Sequence, residues 1–277
     1  MKKTLITLLA LAGVAAAADK VQIDFGRYDA QTEGYYNIYV AEGYTTGAQI
    51  ANYVNGETSA TTEHSLTLGE QEITLTYEHT TGLQNYGGQG LMPTLTTTEE
   101  ANWKNAYNGN LPSGVQGNVS DGITTQAKDN GGTHRLTFSN LAAGTYTLSA
   151  FGAFYGKDPF SAITVSLGDG LTANWSFQAC ETGTWSTNST AISKNTVDLN
   201  SYVAGGGNAT PYNHGYYFTA DGITVEEGAD LSVIIAGADG GARTPLNYVS
   251  LQMVPEPTTA TLSLLALAGL AARRRRR

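Results

Sequence analysis

Positive charge is scarce over most of this sequence. Of 15 Lys and Arg in 277 residues, seven are Lys2, Lys3 and Arg273–Arg277, at the two ends. The interval from Asp19 to Val254 keeps eight, against 23 Asp and Glu, a balance of −15. Such a body has no general electrostatic pull on nucleic acid or on an anionic membrane surface, so a nucleic-acid partner is not expected. Cysteine is nearly absent as well. Cys180 stands alone, so the chain has no internal disulfide framework. It ends the strand-like, partly apolar stretch "FSAITVSLGDGLTANWSFQAC", the setting of a buried structural thiol rather than a nucleophile.

Catalytic and metal motifs are missing too. There is no G-x-S-x-G elbow, P-loop or dinucleotide glycine motif. The histidines His64, His79, His134 and His214 are scattered without metal-ligand spacing, and "YEHT" and "THRL" place His79 and His134 in strand-like settings that suit a surface or cross-strand role. Several carboxylates stand in Asp-Gly dipeptides, at Asp121, Asp169, Asp221 and Asp239, which is turn chemistry because both residues tolerate positive φ. No catalytic residue, metal ligand or cofactor is assigned. Calcium held by some of these carboxylates and backbone carbonyls stays open, without a D-x-D-x-D-G loop behind it.

What the body has is β-favouring runs between turn clusters. They include "VQIDFG" (21–26), "EITLTYEH" (72–79), "HRLTFSNL" (134–141), "TYTLSAFGAFY" (145–155), "SAITVSL" (161–167), "GYYFTADGITV" (215–225) and "NYVSLQMV" (247–254). Several alternate apolar with polar, the period of a half-buried strand. The links "LGEQ", "LAAG", "LGDG" and "VEEGAD" are expected to be hairpin turns. One segment breaks the pattern: Thr97 and Glu100 form a capping box, which predicts a short helix over Glu99–Tyr107. The fold class expected is all-β, an antiparallel β-sandwich of jelly-roll-like type spanning 19–253 as one domain, with that one short helix.

Aromatics are the remaining handle on function, with 16 Tyr and three Trp. In Tyr35-Tyr36 and Tyr216-Tyr217, strand alternation sends one ring of each pair to the core and the other to the outer face. Trp175 and Trp185 read as core or loop-packing residues. Trp103, in the helix and long-loop region, is the candidate glycan contact, a planar face for stacking on a sugar ring.

The two ends share the string LLALAG, at Leu8–Gly13 and Leu264–Gly269. At the front, Lys2 and Lys3 precede an apolar stretch and then Ala15–Ala18, the form of a secretory signal peptide over 1–18 with cleavage after Ala18. At the back, "VPEP" is followed by the uncharged run Thr258–Ala272 and by Arg273, Arg274, Arg275, Arg276 and Arg277. A helix of that run reaches about 22 Å at ~1.5 Å per residue, short of a hydrocarbon core of about 30 Å, and snorkelling arginines extend it. Positive charge stays cytoplasmic, so a transmembrane helix here leaves the body outside. Proline at 255 and 257 keeps the intervening peptide extended and accessible.

The order Pro-Glu-Pro, apolar run, arginine cluster over Val254–Arg277 resembles the PEP-CTERM sorting signal of Gram-negative bacteria. That resemblance implies an exosortase partner that recognises Pro255, Glu256 and Pro257 and removes or transfers the segment. A permanent tail anchor is the alternative. The sequence "VQIDFG", Trp103-Lys104-Asn105, "LTFSNLAAGTYTLSAFG" and "LNYVSLQMVPEP" resembles exported proteins in which a galactose-binding-like sandwich runs straight into the sorting tail, which implies the fold and transfers no ligand residue. The function expected is a surface or extracellular-matrix protein, exported by the Sec machinery through transient membrane contact and non-enzymatic. It would be adhesive or would bind polysaccharide. A secreted glycan hydrolase using a carboxylate pair is the alternative.

Overall fold

The structure, a computed structural model, describes residues 19–26, 33–39, 60–80, 83–86, 122–125, 132–154, 163–168, 170–180, 185–186, 192–193, 195–198, 214–237 and 244–255. Among them the period-two alternation is realised as strands and there is no helix. The helix expected over Glu99–Tyr107, the signal helix and the C-terminal membrane helix all lie outside the described residues.

Two sheets carry the fold. Sheet A runs in the order β11 (Trp185–Ser186), β10 (Asn174–Cys180), β14 (His214–Val225), β8 (Gly144–Phe154), β17 (Tyr248–Val254), β1 (Lys20–Gly26) and β2 (Tyr36–Tyr39), with β12 (Ile192–Ser193) also on β10. Sheet B runs β13 (Thr196–Asp198), β9 (Ile163–Leu167), β15 (Leu231–Gly237), β7 (Thr133–Ser139), β4 (Gln71–His79) and β3 (Ala60–Leu68). A small third sheet joins β16 (Pro245–Leu246), β6 (Gly122–Thr125) and β5 (Leu83–Tyr86). Every pairing described is antiparallel except β1 with β2.

Alternate residues of both sheets meet in one core. Ile23, Leu148, Phe218 and Leu251 from sheet A and Ile73, Leu75, Leu136 and Val233 from sheet B are fully buried in it. The rings of Phe25 and Tyr77 touch across the two sheets at 5.4 Å. Trp175 takes the core position expected of it, against Phe218 at 5.5 Å. Each such side chain stabilises by about 1.5–3 kcal/mol, which makes this core the dominant favourable contribution.

The links depart from expectation. Only "LGEQ" is a hairpin between neighbours, joining β3 to β4 with Gly69 at φ +64°. "LAAG" (β7 to β8), "LGDG" (β9 to β10) and "VEEGAD" (β14 to β15) each carry the chain from one sheet to the other. Turn residues dictate a reversal of direction, but the hydrophobic face of the next strand decides which sheet it joins. Asp221-Gly222 is also not a loop. It lies inside β14 as a bulge, with Gly222 at φ +69° and the register to β8 shifting between Ala220 and Ile223.

A buried polar clamp ties the sheets at one end. His134 is fully buried; its Nδ1 accepts from the Tyr77 hydroxyl at 2.8 Å and its Nε2–H donates to the Thr244 carbonyl at 2.8 Å. The tautomer follows from those partners. The Tyr216 hydroxyl donates to the Pro245 carbonyl at 2.6 Å, and the Thr244 hydroxyl donates to the Gly132 carbonyl at 2.9 Å. Gly152 leaves the space these groups need, because a Cβ there would run into the Tyr216 ring and the Pro245 carbonyl.

Two predictions follow from the clamp. Burial lowers the His134 pKa to about 4 from 6.5; its bond to Thr244 partly opposes this and the neighbouring His79 adds to it. The fold therefore holds the neutral ring, so this stabilisation is complete above pH 6.5 and is lost as pH falls from 6.5 toward 4. The loss is about 2 kcal/mol by pH 5 and about 3 kcal/mol by pH 4. Urea unfolding across this range should show that slope in the native chain and a flatter one in His134→Gln; equal slopes would remove His134 as its source. Gly152→Ala should cost about 1–3 kcal/mol by overpacking, read from the same curves.

Candidate ligand-binding face

The residues of sheet A that alternate with its core positions form an outer face, and strand register arranges them in rows. In β8 the core takes Tyr146, Leu148 and Ala150, so Thr147, Ser149 and Phe151 point the other way. Across the ladders Phe151 stands opposite Tyr217 on one side and Tyr248 on the other. Tyr248 stands opposite Asp24, and Asp24 opposite Asn37. The neighbouring row is Ser176, Thr219, Ser149, Ser250 and Gln22. An aromatic and amide row thus lies beside a row of small hydroxyls.

The rows are bonded to each other and to themselves. Gln22 Nε2–H donates to the Tyr248 hydroxyl at 3.2 Å, and the Ser149 and Thr219 hydroxyls lie 3.1 Å apart. Tyr35 packs on Tyr248 with ring centres 5.8 Å apart, and its carbonyl accepts from the Asn37 amide at 2.8 Å. Burial raises the Tyr248 phenol pKa and nearby Tyr217 adds to this, while hydrogen bonds with Ser250 and Gln22 oppose it. The phenol therefore stays protonated over the whole physiological range.

Exposure is graded across the face. Phe151, Tyr248 and Asp24 are buried; Tyr35, Asn37, Tyr217, Thr219, Ser176 and Gln22 are half-buried; Asn174 and Asp221 are exposed at the margin. Phenol rings can stack on the C–H face of a polyol, while hydroxyls and amides exchange hydrogen bonds with it. Charge is sparse: Asp24 and Asp221 are carboxylates, and Lys20 at the start of β1 is the cation, so the described face has little to offer an anion. Among the described residues no three His, Cys, Asp or Glu side chains come together as a metal site.

The residues singled out in the sequence fall as follows. Tyr216 is in the core and Tyr217 on the outer face; Tyr36 packs on the core and Tyr35 lies on the outer face, the division that alternation predicts. Cys180 ends β10, opposite Gly215 and Trp185 in the ladder. Pro255 is exposed directly after β17. Trp103, Ala18, Glu256, Pro257 and Arg273–Arg277 lie outside the described residues. The sequence reading missed Phe151, Tyr248, Gln22 and Asp24. Alternation in "YVSLQMV" and "VQIDFG" could have put Tyr248 with Ser250, and Gln22 with Asp24, on common faces. Nothing local shows that those faces adjoin.

No protein-family profile and no curated protein matches the chain. Among solved structures it is similar to TmCBM61 in complex with β-1,4-galactotriose, with 13% identity over 50% of this chain and 73% of that one, TM-score 0.28. It is similar to CBM28, a carbohydrate-binding module specific for non-crystalline cellulose, with 16% identity over 52% of this chain and 76% of that one, TM-score 0.25. A third likeness is to the enzymatically active domain of bacteriophage CBA120 tailspike protein 4, at 7% identity over 78% of this chain and 22% of that one, TM-score 0.24. Scores this low decide neither fold nor ligand, and the sandwich stands on the strand pairing above.

The graded burial has a consequence for stability. Phe151→Ala, although on the outward side of its strand, should cost about 3–5 kcal/mol, the range for a core aromatic. Tyr217→Ala should cost about 1 kcal/mol, since its ring is half in water. Equal effects in chemical denaturation would mean that the outer face is uniformly open.

Proposed function

We propose that this is an exported surface or matrix protein whose sandwich, of jelly-roll type, binds an uncharged polysaccharide on the outer face of sheet A without turning it over. The observation that carries this reading is the set of half-buried groups Tyr35, Asn37, Tyr217, Thr219, Ser176 and Gln22 on the outer side of sheet A, backed by the buried Phe151, Tyr248 and Asp24. Tyr217 and Tyr35, both half-buried, supply faces for stacking, and the half-buried Ser176, Thr219, Gln22 and Asn37 supply directional bonds, while the buried Phe151, Tyr248 and Asp24 hold them in place. The scarcity of cations disfavours acidic glycans, as does the balance of −15 over the body.

The rest of the reading concerns delivery. The Sec machinery would take the chain across the membrane, signal cleavage after Ala18 would free the body, and exosortase would act at Pro255-Glu256-Pro257. Arg273–Arg277 would hold the tail in the membrane until then.

Binding to immobilised neutral polysaccharides tests the face. Tyr217→Ala and Gln22→Ala should each weaken retention about tenfold, equivalent to ~1.4 kcal/mol, under conditions in which both variants remain folded. Loss on Trp103→Ala alone would move the site to the 99–107 region. No retention of any glycan by the native chain would leave only a structural or adhesive role. For delivery, the mature C-terminus is read by mass spectrometry of surface-extracted protein: it should lack Arg273–Arg277, and their retention would favour a tail anchor.

A further inference from the structure

Among the described residues β2 ends sheet A and β3 ends sheet B, and the two edges meet through a polar contact. β2 has four residues and one described partner, the parallel strand β1, from Ile23 opposite Tyr36 to Gly26 opposite Tyr39. Parallel pairing is the weaker kind per residue, and short strands at a sheet edge open at low free-energy cost. Yet β2 and the residue before it supply Tyr35 and Asn37, two of the half-buried groups of the outer face. The other side of β2 faces inward: Ile38 is buried in the core, and Tyr36 packs against that core. On β3 the inward residues grade from core to solvent. Leu68 and Leu66 are buried, His64 is half-buried and Thr62 is exposed. The Tyr36 ring meets the His64 imidazole edge-on with centres 5.7 Å apart, and its hydroxyl lies 3.3 Å from Nδ1. The Thr62 hydroxyl lies 3.0 Å from Nε2. Either neutral tautomer serves this arrangement, since one ring nitrogen donates, the other accepts, and both hydroxyls rotate to suit.

Resting on the polysaccharide reading above, we propose that His64 is a positioning residue for the binding face: through Tyr36 it latches β2 to sheet B and so holds Tyr35 and Asn37 in place on the opposite side of β2. The path is short. Tyr36 stands between Tyr35 and Asn37 in the sequence, and alternation turns its side chain inward while theirs turn outward. Tyr35 packs on Tyr248 of β17, and its carbonyl accepts from the Asn37 amide. A shift of Tyr36 therefore moves both binding groups relative to the buried Tyr248. His64 belongs to the other sheet and reaches the face through the body of β2, so its role is to hold rather than to touch a ligand. One hydrogen bond counts for little against the whole core. Against the opening of a four-residue edge strand it is a comparable quantity, so it sets how often β2 is in place.

Two readings on the full chain test this. The first is amide hydrogen exchange of residues 36–39, which needs no ligand. Tyr36→Phe keeps the ring and removes the hydroxyl, and it should speed exchange there by up to about fivefold while exchange of β8 stays unchanged. His64→Ala should do the same, and the double variant should exchange little faster than His64→Ala alone. His64→Asn, whose Oδ1 takes the place of Nδ1, should return most of the protection. The second reading is retention on a neutral polysaccharide that the native chain binds. It should fall about two- to fivefold in Tyr36→Phe and His64→Ala and recover in His64→Asn, because apparent affinity follows the fraction of chains with β2 in place. Unchanged exchange in both single variants overturns the latch. Faster exchange with unchanged retention overturns the positioning role and leaves the polysaccharide reading standing. A native chain that retains no glycan overturns that reading and the positioning role together.

Discussion

The position of β17 between β1 and β8 is the constraint on which sheet A depends. It joins residues 226 positions apart, as in the bond from Gln22 to Tyr248. Because side chains alternate with a period of two, a slip of one residue would turn Val249 and Leu251 to solvent and drive Tyr248 and Ser250 into the core. The chain just before β17 prevents that slip. The Phe25 N–H donates to the Asn247 carbonyl at 2.8 Å, and the Asn247 N–H donates to the Phe151 carbonyl at 2.9 Å. Two and three residues earlier, Pro245 and Thr244 are held by Tyr216 of sheet A and His134 of sheet B. The same few residues thus set the register of β17 and tie the two sheets together.

That register makes the two outer faces different. On sheet B the outward row is Glu63, Thr76, Thr137 and Ser232, and the next includes Glu78 and Arg135, whose side chains meet at 3.4 Å. Both are about half exposed, and a pair of that kind contributes less than about 1 kcal/mol. Among the described residues these two rows carry no ring. On sheet A the outward row contains Tyr217, Phe151 and Tyr248, two of them buried on the side of the strand away from the core. Burying aromatics outside the main core puts a rigid wall beside the small hydroxyls of Ser149 and Ser250. Two buried rings beside the half-buried Tyr217 distinguish this face from that of sheet B.

Much of the local structure was legible before the fold. Nearly every strand-like run became a strand, because alternation of apolar and polar residues reports a two-sided surface directly. Gly69 became a hairpin because its φ of +64° suits a residue without Cβ. The other links were misjudged for a physical reason: "LAAG" and "VEEGAD" reverse the chain as turn residues should, yet the strand each introduces is recruited by the opposite sheet. Asp221-Gly222 shows the same limit, since the positive φ that closes a turn also accommodates a bulge. From the sequence His134 reads as a strand histidine with a surface or cross-strand role, whereas it is fully buried. Its burial depends on Tyr77 and Thr244, 57 and 110 residues away.

By itself the sequence determined the class of the body, the division of Tyr216 from Tyr217 and of Tyr35 from Tyr36, and the acidic balance that argues against nucleic acid. Each follows from nearest-neighbour pattern or composition, which needs no knowledge of distant contacts. Only the tertiary structure decided which outward faces adjoin, that Phe151 and Tyr248 are buried outside the main core, and that the start of β1 meets the end of β17. Those are outcomes of strand order and register. They are set by long-range burial and by the Thr244–Asn247 clamp, and no local stretch of residues carries that information.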